Sequence, residues 1–481
     1  MRSRLVLAVQ LITALASAQQ RGQTPPPVPP TPQFSADEKQ RVIDYWSQPG
    51  RYLITTPADA MDKGLWQVRL TVKGSTWLMA YNKARKVSAP PTQNAQPIND
   101  QQRDWEAWVV AKLNRDRWEA LQTAQDANEK IIGKRVPISD KTIPSTEPPL
   151  PGPIPDGLLA LAGDPPKFAE ATVPMERDIA FEDITLTYQD NVRVSNPRYP
   201  YYRFSQGVNS EGVAVKEMPA DRMEHLFRLA EVSESEARIM RSVSILEGGF
   251  DAINTYDTGF VSIGFIQFAS LKEGAGSLGE MLLEYKTNNP SDFQRDLRQY
   301  GIDVQPNGLL DVLDLQTGAE LFGPDANMKI IEDARLVAVF QRAGLKSDSF
   351  IAAQIRSAKT QFYPANDTIT VNVGSQTLTG KVSDFIKSEA GLATLMDRKV
   401  NTGHLDPFNS VVADVARQSN ISDLNDLATH EYEIIQRIKY RKNYLEDGSL
   451  SQPENSRLSR NNSTPSRGGK RGSRGGGKNN K

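Results

Sequence analysis

Two carboxylates ten residues apart, Glu247 and Asp257, open a glycine- and aromatic-rich stretch that runs EGGFDAINTYDTGFVSIGFIQF from Glu247 to Phe268. Met240, Val243, Ser244 and Glu247 fall at i, i+3, i+4 and i+7, so on a helix they share one face. Glu247 then emerges at the C-terminal end of an apolar stripe. Desolvation and the negative end of the helix dipole both disfavour its ionised form. A carboxyl that stays protonated near neutral pH is what general acid catalysis requires. Gly248 and Gly249 break the helix and let backbone approach a ligand closely. Tyr256 and Asp257 follow on a loop. The run from Ser262 to Phe268 alternates polar and apolar residues, with Gly264 at the point of approach and Gln267 as a hydrogen-bonding group. An acid against hydrophobic walls, faced by a polar loop, suits cleavage of a glycosidic bond. On spacing alone, an exposed glutamate at a helix end is the plainer alternative, and Tyr256 and Phe265 serve equally as core.

These residues must be positioned by helices. Asp221 to Glu231 is expected to form one, and Ser233 with Glu236 a capping box that opens a second, running to Glu247. Ser277 with Glu280 and Ser291 with Gln294 read as further capping boxes, the latter helix closed by Gly301. Ala326 to Ala343 reads as one buried helix closed by Gly344. Ser347 or Asp348 caps the next, to Tyr363. Thr368–Val373 and Gln376–Val382 around Gly374-Ser375 read as a hairpin. Ser383–Thr402 and Ser422–Tyr444 are the last expected helices. Upstream, Ile179, Phe181, Ile184, Leu186 and Tyr188, then Val192 and Val194, read as strands. Tyr199, Tyr201, Tyr202 and Phe204 form an aromatic cluster of the packing kind.

The chain has 481 residues and 24% charged residues, enough for two or three domains. It has no cysteine, which excludes disulfides, thiolate metal sites and a cysteine nucleophile. Its three histidines, His225, His404 and His430, are far apart in sequence, which argues against a zinc site or a Ser-His-Asp triad. No cofactor and no metal are expected. Residues 1–18 resemble an export signal, with Arg2 and Arg4 ahead of a short apolar run and an Ala16-Ser17-Ala18 cleavage site. An uncleaved anchor is the alternative. No later apolar stretch is long enough to span a bilayer.

Proline-rich sequence punctuates the rest. Residues 19–33 read as a stiff spacer, 34–136 as a small α+β module, 137–157 as a second spacer, and 158–448 as a mostly helical domain with a β-rich lead-in. Residues 449–481 read as a disordered tail, with eight basic and no acidic residues from Ser456 onward. The net charge of −1 therefore hides an acidic remainder. The tail is either a solubilising segment or a tether to an anionic polymer. The 34–136 module holds all six tryptophans. Val68, Leu70 and Val72 suggest a strand, Gly74-Ser75 a turn, and Asp104–Ile132 a long helix closed by Gly133. Its tryptophans are either stacking platforms for sugars or the core of a small domain.

The 22 residues from Glu247 carry a resemblance. Glu247-Gly248-Gly249-Phe250 and Gly264-Phe265-Ile266-Gln267 resemble the E-x-G-F and G-L-M-Q elements of soluble lytic transglycosylases. Glu247, Tyr256-Asp257 and Ser262-Ile263-Gly264 resemble the Glu, Tyr-Asp and Thr-Ile-Gly spacing of phage-type lysozymes. Gly391 to Gly403 is similar to a later helix in bacterial members of this lysozyme-like superfamily. The resemblance implies an exported α+β protein of lysozyme-like fold that cleaves β-1,4 glycan strands of peptidoglycan in the cell envelope. Glu247 would be the acid, and Asp257 would stabilise the oxocarbenium-like transition state or position water. Tyr256, Ser262, Gly264, Phe265 and Gln267 would hold the glycan. If Asp257 does neither, Glu247 acts alone and the product is an anhydro sugar. Chitin or chitosan as substrate, and a non-catalytic glycan-binding or scaffold protein of the same fold, are the competing expectations. A nucleotide partner is not expected.

Overall fold

A computed structural model describes residues 30–56, 66–85, 97–135, 143–173, 175–189, 207–256 and 259–454. The fold is α+β. Among the described residues no sheet exceeds four strands, so helices rather than a central sheet build the cores. The chain forms two compact units: one from the residues up to Gly212 with Asp251–Phe350, the other from Val213–Phe250 with the residues from Ile351 onward. The expected export signal, most of the basic tail, Val192, Val194 and the Tyr199–Phe204 cluster lie outside the described residues.

In the first unit the long helix spans Asp100–Ile132. It starts earlier than expected because Asn99 accepts from the Gln102 amide, and Gly133 ends it at φ 70°. Its Trp105, Trp108, Val109 and Leu113 pack with Trp77, Leu78, Tyr81, Leu158 and Phe168 into one core. The indole N–H groups donate to backbone carbonyls: Trp77 to Gly163 at 2.9 Å, Trp105 to Asp156 at 3.0 Å, Trp108 to Gly152 at 2.9 Å. Trp46 donates to the Tyr300 carbonyl at 3.1 Å and packs edge-on to Phe181. These four tryptophans are therefore core, with no face left for a sugar.

The segment 34–136 does not close on itself. Tyr52–Thr55 pairs antiparallel with Glu176–Ala180, which pairs with Thr185–Gln189, and Gln67–Leu70 pairs with Ala169–Thr172. The described part of the 137–157 spacer, from Ile143, supplies the carbonyls that accept from Trp105 and Trp108. A small strand face cannot bury itself alone, so it recruits partners from beyond the proline-rich stretch. Gly74 and Ser75 are not a turn but lie inside the helix Val72–Ala84. A Cβ on Gly74 would sit 2.8 Å from the Phe168 Cα, so close packing is the reason for that glycine.

Further corrections concern where helices begin and end. The helix Gly276–Asn288 has no capping box, because Ser277 Oγ instead accepts from the Ala269 amide at 2.9 Å. Pro290 at N1 opens the helix Pro290–Asp296 without a side-chain cap from Ser291. The single helix expected over Ala326–Ala343 is two, Pro324–Glu332 and Ala334–Lys346. Asp333 stands extended between them and caps the second through the Arg335 amide. Gly344 lies inside it. Ser347 does cap Asp348–Phe362, accepting from the Phe350 amide at 3.2 Å.

In the second unit the helices Ala220–Leu229 and Glu234–Ser244 form, the latter with both arms of the expected Ser233–Glu236 capping box but ending at Ser244, short of the expected Glu247. Thr368–Val373 and Gln376–Lys381 form the expected hairpin. The helix expected from Ser383 begins at Glu389. Ser388 caps it, and the buried Glu431 carboxylate accepts from the Lys387 and Ser388 amides at 2.9 and 3.0 Å. The region Ser422–Tyr444 is broken into a 3-10 turn Leu424–His430 and a helix Glu431–Ile438, the bend turning Glu431 toward those amides. A helix Phe408–Gln418 was not expected. Leu450 is buried and the Ser451 amide donates to Glu389 at 2.9 Å, so residues 449–454 belong to this unit and not to a tail.

Candidate functional site

Glu247 lies three residues beyond the last residue of the helix Glu234–Ser244, not inside it. Ser244 is 1% exposed, and its carbonyl accepts from the Glu247 amide at 2.9 Å and the Gly248 amide at 3.2 Å. Gly248 at φ 121° turns the chain away where a side chain would be strained. Met240, Val243 and Ser244 are buried on one face of the helix, but the chain leaves the helix after Ser244, so Glu247 follows that face from a turn and not at a helical i+7 position.

The helix Glu234–Ser244 packs against Glu389–Thr402. Arg238 ties the two through Glu389 at 2.7 and 3.0 Å. At the other end of this pair, Asp397 and Asn401, one helical turn apart, come to Glu247. Asn401 Nδ2 is 3.5 Å from Glu247 Oε1 and donates to the Asp397 carbonyl at 2.8 Å. Arg441 Nη2 pairs closely with Glu247 and also with Asp397 Oδ1 at 2.8 Å, while its Nε reaches the same Asp397 oxygen at 3.2 Å. The Glu247 side chain is 10% exposed, that of Asp397 1% and that of Arg441 31%. Next to Arg441, Lys442 and Ser242 both bind Asp447, at 2.8 and 2.6 Å, which fixes the Arg441 segment to the Glu247 helix.

One guanidinium therefore serves two withdrawn carboxylates. Burial pushes the Glu247 carboxyl above its usual range, and Asp397 adds to the rise, while Arg441 and Asn401 pull the other way. The direction follows from charge: Arg441 spends two of its contacts on Asp397, so Glu247 holds only part of one cation against the full cost of leaving water. Asp397 Oδ2 and the Tyr444 hydroxyl are buried with no hydrogen-bond partner. The group is thus a carboxyl that can carry a proton, with a cation beside it to receive the charge once the proton leaves.

The other expected site residues belong to the first unit. Asp257 lies outside the described residues. Tyr256 is half-buried and its amide donates to Asn254 Oδ1 at 3.1 Å. Ser262 pairs in a short strand and is 5% exposed, and Phe265 is fully buried, so neither presents surface to a saccharide. Gly264 at φ 80° makes the tight turn, its carbonyl accepting from both the Gln267 amide and Gln267 Nε2 at 3.0 Å. Gln267 is committed to its own turn. The Gly264–Gln267 run is thus a folding element: it is the turn between the strands Ser262–Ile263 and Phe268–Ala269, with Phe265 and Ile266 both buried instead of alternating, and the glycine allows the reversal.

Asp397, Asn401 and Arg441 are the residues that sequence reasoning missed. The i, i+4 spacing of Asp397 and Asn401 was a readable signal of a shared polar edge. Arg441 lies in a basic run with no periodic cue. Among the described residues no cluster of His, Asp and Glu is arranged to hold a metal ion, and no helix is long and apolar enough to cross a membrane. No protein-family model, curated protein or solved structure matches the chain.

Proposed function

We propose that this chain is a glycoside-cleaving enzyme of lysozyme-like fold, exported to the cell envelope, that acts on the β-1,4 glycan strands of peptidoglycan with Glu247 as its general acid. The reading is supported above all by the sharing of Arg441 between Glu247 and Asp397. That sharing leaves Glu247 withdrawn from water and able to hold a proton. In the first step Glu247 gives its proton to the glycosidic oxygen as the bond to the anomeric carbon breaks. The carboxylate left behind is stabilised by Arg441, already in contact. In the second step the same carboxylate takes a proton, either from attacking water or from the sugar's own hydroxyl as an anhydro ring closes. Both steps use one proton site and no cofactor.

A second reading has its own supporting observation. The close Arg441–Glu247 contact, with Ser262 and Phe265 buried, also suits a non-catalytic glycan-binding or scaffold protein. Purified walls in a zymogram separate the two. The enzyme reading requires clearing by the native protein and loss of at least about a hundredfold in rate with Glu247→Gln. Equal clearing by both proteins removes Glu247 from the chemistry. Wall binding without clearing by either favours the scaffold. Mass analysis of released fragments distinguishes hydrolysis from anhydro-product formation.

A further inference from the structure

Outside this site, the first unit contains a buried pair of acids that the proposed chemistry does not use. Asp311 and Glu320 lie on the neighbouring strands Leu310–Leu313 and Glu320–Phe322, with Asp311 fully buried and the Glu320 side chain 3% exposed. Together they anchor the first described residues. Glu320 Oε1 accepts from the Gln33 amide and, at 3.3 Å, from the Phe34 amide. Gln305 Nε2 donates both to Asp311 Oδ2 at 2.6 Å and to the Thr31 carbonyl at 2.8 Å, and Gln305 Oε1 accepts from the Thr31 amide at 3.2 Å. Phe34 is buried beneath the Arg298 guanidinium, which also binds the Gln33 carbonyl at 2.6 Å. Residues 30–33, expected as the end of a stiff spacer, form with Phe34 a strap tied down by the acid pair.

The charges around the pair do not balance. Asp303 is paired with Lys286 at 2.6 Å and with Arg298, and Glu38 with Arg298 at 3.1 Å. Lys39 Nζ lies 2.9 Å from Glu320 Oε2 but off hydrogen-bonding geometry. Four carboxyls thus face three cations. Asp311 Oδ1 and Glu320 Oε2 are both buried without a hydrogen-bond donor. A single proton on the pair supplies the missing donor and restores balance.

We propose that Asp311 and Glu320 form a proton-operated latch on the N-terminal strap, closed while the pair holds a proton and loosened once both are ionised. Burial, reinforced by the Glu320 charge and opposed by Gln305 and Lys286, pushes the Asp311 carboxyl up to about 7, so the transition falls near neutrality. The unfolded chain would release this proton near the ordinary carboxylate value. The latch is therefore strongest at acid pH and weakens as pH rises toward the folded value. When both acids are charged, repulsion in a poorly solvated site is relieved by Glu320 turning toward Lys39 and water. That movement gives up the Gln33 and Phe34 amides and loosens residues 30–34.

Hydrogen exchange of the Gln33 and Phe34 amides in the full chain, corrected for intrinsic rates, tests this between about pH 5.5 and about pH 9. Protection is expected to fall by up to roughly tenfold per pH unit as pH rises toward the folded value of about 7, and to level off above it. In Asp311→Asn, which mimics the protonated acid, protection should stay level. Glu320→Gln keeps an acceptor for both amides but removes the like charge, and should move the midpoint down. Level protection in the native chain overturns the latch. So does a native pH profile retained in Asp311→Asn, or an unmoved midpoint in Glu320→Gln, which also serves should the first variant fail to fold.

Discussion

At the scale of single residues, the behaviour of Glu247 turns on how Arg441 divides its charge. Asp397→Asn removes a like charge and frees the guanidinium for Glu247, so the Glu247 carboxyl should lose its proton at lower pH. The alkaline limb of wall clearing should move down by roughly 1–3 units. Arg441→Gln removes the cation in contact with both carboxylates and should move that limb up. Opposite shifts in the two pH–rate profiles are the expected outcome, and shifts of the same sign would exclude the sharing of Arg441 as their cause. Arg441→Gln should also cost about 1–3 kcal/mol of stability, read by chemical denaturation, because it leaves two withdrawn carboxylates without a counter-charge.

Among elements, packing of backbone against backbone sets the tightest limits. Gly279 lies in the helix Gly276–Asn288, and a Cβ there would stand 1.9 Å from the Gly308 carbonyl oxygen. Gly279→Ala should therefore destabilise by about 2–4 kcal/mol although alanine is the better helix former. Gly50, with open space around its Cβ position, should lose only about 1 kcal/mol for its positive φ. Thermal unfolding of the two variants gives the contrast, and similar losses would show that the Gly279–Gly308 contact is soft. Ser233→Ala should cost about 0.5–2 kcal/mol through the capping box that opens the Glu247 helix.

For the whole molecule, the buried tryptophans and the basic tail make separable predictions. Trp46, Trp77, Trp105 and Trp108 bury their faces and donate their N–H groups to carbonyls. Soluble glycan fragments should accordingly leave most of the tryptophan fluorescence unchanged, and a large quench would restore the sugar-platform reading. Deleting residues 456–481 removes eight cations. If the tail tethers the protein to anionic wall polymer, the truncated chain should bind walls more weakly at low salt, and its affinity should depend less steeply on salt. Identical salt slopes would assign the tail to solubility alone.

What could be read from the chain alone were features carried by local chemistry. The capping box at Ser233 and Glu236, the long helix closed by Gly133, the hairpin about Gly374 and the apolar face that precedes Glu247 depend on neighbours within a few residues. Tertiary structure decided what depends on distant partners. It drew Ser277 away from a cap. It buried Phe265 and four tryptophans, and carried strand pairing and core across the proline-rich stretch. It also brought Asp397 and Arg441 to Glu247 from 150 and 194 residues away. The cost of removing a charge from water depends on every group that replaces the water, and chain order does not reveal which groups those are.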